Sequence, residues 1–207
     1  MKKLLFIVAF AASACLCQAQ FFVGGQLGFD YSKSETKHSS VTTDGPKTTT
    51  FEIEPTVGYA FSDKAAIGMN LGFDYTKATG TADGIDIELK TPEWKVEPYF
   101  RYTVVKWDKI RLYAEAGLTF AGSKAKIKAG GVETDGDKKF GFGFGVCPEI
   151  AYFVTDHISI NADLNLLTAG FFISKITEPD DDETTYKSFG LGVNEPTDFT
   201  IGFQYTF

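Results

Sequence analysis

Cysteine, histidine, long apolar runs and net positive charge are all scarce in this chain of 207 residues. Two of the three cysteines lie in the first 17 residues, so Cys147 stands alone in the rest and no disulfide framework is expected. The mean hydropathy is near zero, which excludes a helical membrane protein. The formal net charge of −7 argues against nucleic acid as a partner.

Glycine and phenylalanine are abundant instead, at 21 and 20 residues. Glycine beside phenylalanine is poor helix composition but suits strands whose two faces differ. The length is ordinary for a single all-β domain. A β-barrel in a membrane has a mean hydropathy of this kind because only alternate residues face lipid.

The first 19 residues are predicted to be a cleaved signal peptide. Lys2 and Lys3 precede an apolar run over residues 4–14, and small residues around Ala19 offer a cleavage site. Residues 20–207 then form one barrel domain. A second interpretation is a lipoprotein, because residues 12–15 form a weak lipobox that ends at Cys15. The sequence does not decide between cleavage after Ala19 and lipidation of Cys15.

The last ten residues show the clearest strand pattern in the chain. One face carries only large apolar side chains and the other only small or polar ones, with a period of two. The apolar set is Phe199, Ile201, Phe203, Tyr205 and Phe207. An aromatic C-terminal residue suits a strand whose outer face meets lipid, whereas in a soluble protein that side chain would sit in water.

The same alternation predicts eight antiparallel strands, over residues 21–31, 49–61, 65–76, 91–105, 110–121, 139–154, 157–173 and 198–207. Residues 167–172 lose the alternation, so the register of the seventh strand is left open. Three connections are tight turns with Asp followed by a base, at residues 62–64, 107–109 and 155–157. The other four are long polar loops, at residues 32–48, 77–90, 122–138 and 174–195.

Charged residues collect on the face opposite the aromatic one, which we predict to face the lumen of an eight-stranded up-and-down transmembrane β-barrel. The greasy face holds too many rings to fit inside so narrow a barrel. We expect Arg101 and Arg111 to pair across the lumen with glutamates, since a single buried charge is costly. The predicted lumen charge network is Glu52, Glu54, Glu97, Arg101, Arg111, Glu115 and Glu149. It either fills the barrel or lines a narrow ion path.

The signal peptide, the hairpin periodicity, the glycine–aromatic alternation of residues 140–146 and the ending FTIGFQYTF resemble the small OmpA/OmpX-type outer-membrane β-barrel domain, in a Bacteroidetes-like form. The resemblance implies that both termini lie in the periplasm and the long loops outside the cell. It implies contact with outer-membrane lipid, lipopolysaccharide and the assembly machinery. It also implies that Phe203, Tyr205 and Phe207 form a C-terminal insertion signal.

Three classes of function are compared. A structural or surface-interaction role, with a ligand bound by the four loops, fits a rigid scaffold with long connections. A lipid-A-modifying enzyme needs a histidine near a nucleophile, and only His38 beside Ser39 and Ser40 offers one, without a recognisable motif. A soluble lipocalin-like carrier is the main rival fold. We expect no catalysis, no cofactor and no metal; the acidic run of residues 178–183 is interpreted as a solvated loop rather than a calcium site. The ligand and the oligomeric state are not predicted.

Overall fold

The structure, a computed structural model, describes residues 20–38, 41–82, 84–164, 168–192 and 199–207. The predicted signal peptide lies outside these residues. The described chain forms a single antiparallel sheet. Its strands are β1 Gln20–His38, β2 Val41–Ala60, β3 Ala65–Ala82, β4 Ile85–Trp107, β5 Ile110–Ala129, β6 Val132–Phe153, β7 Ile158–Leu164, β8 Thr168–Thr177, β9 Glu183–Gly192 and β10 Phe199–Thr206. No helix among the described residues is long and apolar enough to cross a bilayer.

The sheet closes on itself into an eight-stranded barrel, as predicted. Each strand from β1 to β6 pairs with the one that follows it in the chain. The circle is completed by the pairs β7 with β10 and β10 with β1. The closing seam is short, from Phe22 opposite Thr206 to Gln26 opposite Gly202. Along this seam, closure satisfies the backbone hydrogen bonds that an open edge would leave exposed to lipid. Beyond Gln26, the described part of β1 pairs with β2 alone.

The seventh and eighth strands are each divided into two segments. Both β7 and β8 pair with β6, but Glu149 pairs with Asp163 while Val146 pairs with Ala169. Three residues along β6 are thus matched by six residues along the seventh strand. The extra residues explain why the alternation fails at this point of the sequence. The segment β9 continues the eighth strand beside β8, where the sequence analysis predicted a loop.

The three predicted tight turns are confirmed. They lie at the rim of the barrel where both ends of the described domain also lie. They connect β2 to β3, β4 to β5 and β6 to β7. Asp108 adopts a left-handed backbone with φ of 47°, which aspartate tolerates better than most residues. The Ser62 hydroxyl accepts hydrogen bonds from the backbone N–H groups of Lys64 and Ala65.

The four long connections are not loops, and in this the prediction was wrong. Most of the described residues in 32–48, 77–90, 122–138 and 174–195 continue the strands as paired hairpins. We call the described residues of 32–48, 77–90, 122–138 and 177–183 the crown and the rest of the barrel the wall, because Lys138 lies level with Thr177 and Glu183. Their polar composition was interpreted as loop, although Ile85, Ile87 and Leu89 alternate with charged residues as a strand would.

Side chains alternate between the two faces along the wall strands, apart from a register shift between Thr103 and Val105 of β4. In β2 the apolar residues Phe51, Ile53 and Val57 are exposed, whereas Glu54 is buried. A soluble carrier would place its apolar residues inside and its charges outside, so the lipocalin-like alternative is wrong for this chain.

Candidate functional site

Arg101 occupies the centre of the lumen. It projects inward from β4, where it lies directly opposite Glu115 of β5, and its side chain is buried. Its Nε donates to Glu115 Oε2 at 2.9 Å, and its Nη2 lies 2.7 Å from Glu149 Oε2. Its Nη1 donates to Gln204 Oε1 of β10 at 2.9 Å. One guanidinium therefore joins four strands across the barrel.

Neutral side chains complete the hydrogen bonding of this cluster. Asn161 Nδ2 donates to Glu149 Oε1 at 2.6 Å, and Ser159 Oγ donates to Asn161 Oδ1 at 2.7 Å. Two carboxylates share one guanidinium here, so the amide donor supplies part of the solvation that Glu149 loses on burial. Such a network holds the strands in one arrangement.

Aromatic rings surround the same guanidinium. Its carbon lies 5.5 Å from the ring centroid of Phe22, 5.1 Å from that of Tyr99 and 5.0 Å from that of Tyr113. Cations at these distances are attracted to the negative faces of aromatic rings. The three rings leave little room for Arg101 to swing aside.

A second ionic cluster lies nearer the crown. Lys95 of β4 pairs with the buried carboxylate of Glu54, to which Gln26 Nε2 also donates at 3.3 Å. Glu52 and Glu97 lie close enough to attract the same ammonium group. Thr119 Oγ1 donates to Glu97 Oε2 at 2.5 Å. Carboxylates outnumber the cation in this cluster, so this part of the lumen is negative.

The Arg101 cluster forms the neck of the lumen. On the crown side a cavity of about 30 Å³ includes Thr56 and Asn70 in its lining, which leaves room for a water molecule or two. On the tight-turn side a cavity of about 240 Å³ opens among Lys64, Lys106 and Arg111. Arg101 and Gln204 line both cavities, so these side chains are what separates them.

Arg111 is not part of this network. Its guanidinium lies over the ring of Phe153 at 4.0 Å, and in the described part of the chain it makes no ion pair with the five glutamates. The expected pairing was wrong because Arg111 sits below the neck, where β6 presents an aromatic side chain rather than a carboxylate.

The structure thus groups the seven predicted lumen residues in three places. Arg101, Glu115 and Glu149 meet at the neck, Glu52, Glu54 and Glu97 lie around Lys95, and Arg111 lies in the lower cavity. Sequence reasoning placed Lys95 inward but omitted it from the network, and it missed Gln204 and Asn161. Their inward positions in the alternation were the available signal.

The C-terminal aromatic residues all face outward. Phe203, Tyr205 and Phe207 are exposed by 63%, 43% and 64%, respectively. The rings of Tyr205 and Phe207 meet edge to face with centroids 5.0 Å apart, and His157 stacks on Tyr205. The Phe207 N–H donates to the carbonyl of Phe21, which ties the last residue to the first strand.

The described residues support neither an enzymatic site nor a metal site. The side chains of His38, Ser39 and Ser40 fall outside the described part. His157 Nδ1 lies 2.7 Å from the backbone oxygen of Thr206. Among the described residues no group of three or more His, Cys, Asp or Glu side chains is arranged to hold a metal ion.

A closed antiparallel sheet with an apolar exterior and an ionic lumen defines a transmembrane β-barrel. The chain belongs to the outer membrane protein beta-barrel domain family, whose model matches residues 4–207. It is therefore a protein of the bacterial outer membrane. No curated protein matches the chain.

Solved structures to which the chain is similar include three bacterial proteins. OprG from Pseudomonas aeruginosa is 16% identical, with 92% of this chain and 96% of that chain covered and a TM-score of 0.45. Ail, the attachment invasion locus protein of Yersinia pestis, is 14% identical, with 92% and 99% covered and a TM-score of 0.41. Neisserial surface protein A is 16% identical, with 91% and 96% covered and a TM-score of 0.37.

Proposed function

We propose that this protein is a non-conducting, non-catalytic barrel that presents its crown to the surroundings of the cell for surface interaction. The observation that carries the proposal is the pairing of a closed neck with a long, regular crown. In the neck, Arg101 is bonded to Glu115, Glu149 and Gln204, and it lies with Gln204 between the two cavities. The crown, in contrast, extends the hairpins as an ordered scaffold.

The proposal places both termini in the periplasm and the crown outside the cell. Both ends of the barrel lie at the rim of the three tight turns, and short turns on one rim with long connections on the other are the asymmetry of bacterial outer-membrane barrels. It further assigns Phe203, Tyr205 and Phe207 to recognition by the assembly machinery, which their outward position on the last strand supports.

The crown is built as a recognition surface would be. Lysines and acids alternate on its outward face and form ion pairs, as between Lys124 and Asp135 at 2.8 Å and Lys126 and Glu133 at 3.0 Å. As extracellular ligand the proposal assigns polysaccharide or another protein, since connections carried by a rigid scaffold are common recognition sites.

Deleting one crown hairpin at a time tests the proposal. Replacing residues 32–48, 77–90, 122–138 or 177–183 with a two-residue turn should leave the wall folded, which the gel shift between unheated and boiled samples reports. At least one deletion should abolish attachment of expressing cells to surfaces coated with polysaccharide or matrix protein. Unchanged attachment in all four deletions would contradict the proposal.

Ion conduction is a second candidate, favoured because Arg101 lines both cavities and the lumen above it is negative. In that case the pure wild-type protein would show reproducible single-channel currents in planar bilayers, and Arg101→Ala would enlarge them. Our proposal predicts that the wild-type protein shows no single-channel currents.

A further inference from the structure

The lower cavity brings together three cations from different parts of the chain. Lys64 belongs to the turn between β2 and β3, Lys106 to the end of β4 and Arg111 to the start of β5, and all three line the cavity. In the described part of the chain, none of these side chains forms an ion pair with a carboxylate. Asp63 and Asp156 also line the cavity, but they are one fewer than the cations.

A β-bulge turns Lys106 toward the cavity. The odd-numbered residues of β4 face the lumen as far as Thr103, and the register with β5 then shifts between Thr103 and Val105. As a result Lys106 lies directly opposite Arg111 on the inner face. The Cβ atoms of such a facing pair are about 5 Å apart, and like charges in this position destabilise a sheet. Regular alternation would have turned Lys106 outward, so the bulge creates this pair of facing cations.

The surrounding backbone fixes the positions of the cations. The Arg111 guanidinium lies over the ring of Phe153 with its carbon 4.0 Å from the centroid. The Phe153 N–H donates to the carbonyl of Lys109 at 2.7 Å, and the Thr103 N–H donates to the carbonyl of Lys64 at 2.7 Å. A ring over one face of a guanidinium leaves its N–H edge available for an oxyanion.

The cavity has a closed inner end and room for a small ion. Arg101 and Gln204 of the neck close it on the crown side, and exposed residues of the tight turns, Ser62 among them, line its other end. Its volume of about 240 Å³ exceeds several times the roughly 30 Å³ that one water molecule occupies in the liquid. A tetrahedral oxyanion therefore fits.

We propose that the lower cavity binds a small, doubly charged oxyanion of the size of sulfate or phosphate, taken up from the solution at the tight-turn rim. Lys106 and Arg111 donate to its oxygens from facing positions, and Lys64 adds a third positive charge. A dianion accepts charge-assisted hydrogen bonds from both facing cations and relieves their repulsion, whereas a monoanion neutralises only one of them.

The two arginines of the chain make a direct test possible. The full barrel is labelled with ¹⁵N-arginine in a nonionic detergent, and sodium sulfate replaces sodium chloride at constant ionic strength. The Nε–H resonance of Arg111 should shift and saturate, while that of Arg101, held by Glu115, Glu149 and Gln204, should stay in place. Half-saturation should need about tenfold less sulfate than acetate. A shift without saturation, or equal concentrations of the two anions, overturns the proposal.

Matched variants locate the contact. Lys106→Gln should raise the half-saturating sulfate concentration about tenfold. Lys109→Gln removes the same charge three residues away, from a side chain that is not part of the described cavity lining, and should leave that concentration nearly unchanged. Equal effects of the two variants, or unchanged binding in Lys106→Gln, overturn the proposal. If Lys106→Gln does not fold, the comparison of sulfate with acetate in the wild-type protein decides the outcome.

Discussion

The wall and the crown are parts of the same sheet, yet their two faces exchange character. In the wall part of β4 the outward residues are Trp94, Val96, Pro98 and Phe100, and the inward ones include Lys95, Glu97 and Arg101. In the crown part of that strand the outward residues are Asp86, Glu88 and Lys90, and the inward ones are Ile85, Ile87 and Leu89. The register between β3 and β4 is unbroken throughout, so the exchange is not caused by a bulge.

The exchange of faces identifies the solvent around each region. A sheet in water turns its apolar face toward its own interior, and a sheet in lipid turns it outward. Along β4, the boundary between wall and crown falls at Pro92, with Trp94 on the wall side and Lys90 on the crown side. The same change occurs in β5 between Phe120 and Lys124. The two regions should therefore differ in energy as they do in sequence.

The largest expected effect concerns the ion pairs of the two regions. Arg101→Met removes the cation that Glu115 and Glu149 share in the buried neck, so the variant should lose about 3–5 kcal/mol of the free energy of unfolding. Lys124→Met breaks a crown pair in water and should change the stability little. Urea unfolding in lipid vesicles, followed by intrinsic fluorescence, measures both. Equal losses would mean that the neck is as hydrated as the crown.

A charge placed on the outward face should separate the regions next most strongly. Leu71 and Thr79 both face outward from β3, one in the wall and one in the crown. Leu71→Arg moves a guanidinium into lipid and should destabilise the barrel by about 2–4 kcal/mol, whereas Thr79→Arg should be close to neutral. The same unfolding measurement applies. A similar cost at Thr79 would extend the membrane into the crown.

The apolar side chains exposed in each region should differ in what they do during assembly. Phe207→Ser should lower the amount of heat-modifiable barrel in cells several-fold, because we assign the last strand to recognition by the assembly machinery. Val132→Ser, at an exposed apolar side chain in the crown, should leave that amount unchanged. Gel mobility of unheated membranes reports the folded fraction. The assignment fails if Phe207→Ser assembles as wild type.

The smallest effect is electrostatic and lies in the crown alone. Hydrogen bonds from Lys77 and Lys90 lower the pKa of Glu88 to about 2. Because this pKa is depressed, the contribution of the pair is complete above the ordinary carboxyl pKa of about 4.5 and is lost as the pH falls from there through 2. An NMR titration of the Glu88 carboxyl in detergent should show the low midpoint in wild type. In Lys77→Met with Lys90→Met the midpoint should return toward 4.5.

The sequence predicted the wall well because its signal is local. Alternation with period two defines eight strands and separates the charged face from the aromatic one without knowledge of the partners. It failed for the crown because lysine, serine and threonine were interpreted as loop composition, although Ile85, Ile87 and Leu89 kept the strand period. The low pKa of Glu88 depends on that missed hairpin.

The details of the neck could not be predicted from the sequence. Arg101 and Gln204 are 103 residues apart and meet only because the barrel closes with a particular register. Asn161 reaches Glu149 because the register of the β6–β7 hairpin places the two side chains diagonally across from each other. Arg111 shows the reverse case, since its inward position was right but the side chain it contacts on β6 is the ring of Phe153. The alternation in the sequence predicts the face on which a side chain lies. Its partners depend on the register between strands, which only the folded barrel defines.

The exchange of faces along β4 is tested most directly by spin labels placed one at a time from residue 86 to residue 100, with Cys147 replaced by alanine. Oxygen, which concentrates in lipid, should collide most with labels at residues 94, 96, 98 and 100, and a water-soluble nickel chelate most with those at residues 86, 88 and 90. Oxygen contact at residues 93, 95 and 97 instead, or at the even positions of the crown, would contradict the assignment of the wall to lipid and the crown to water.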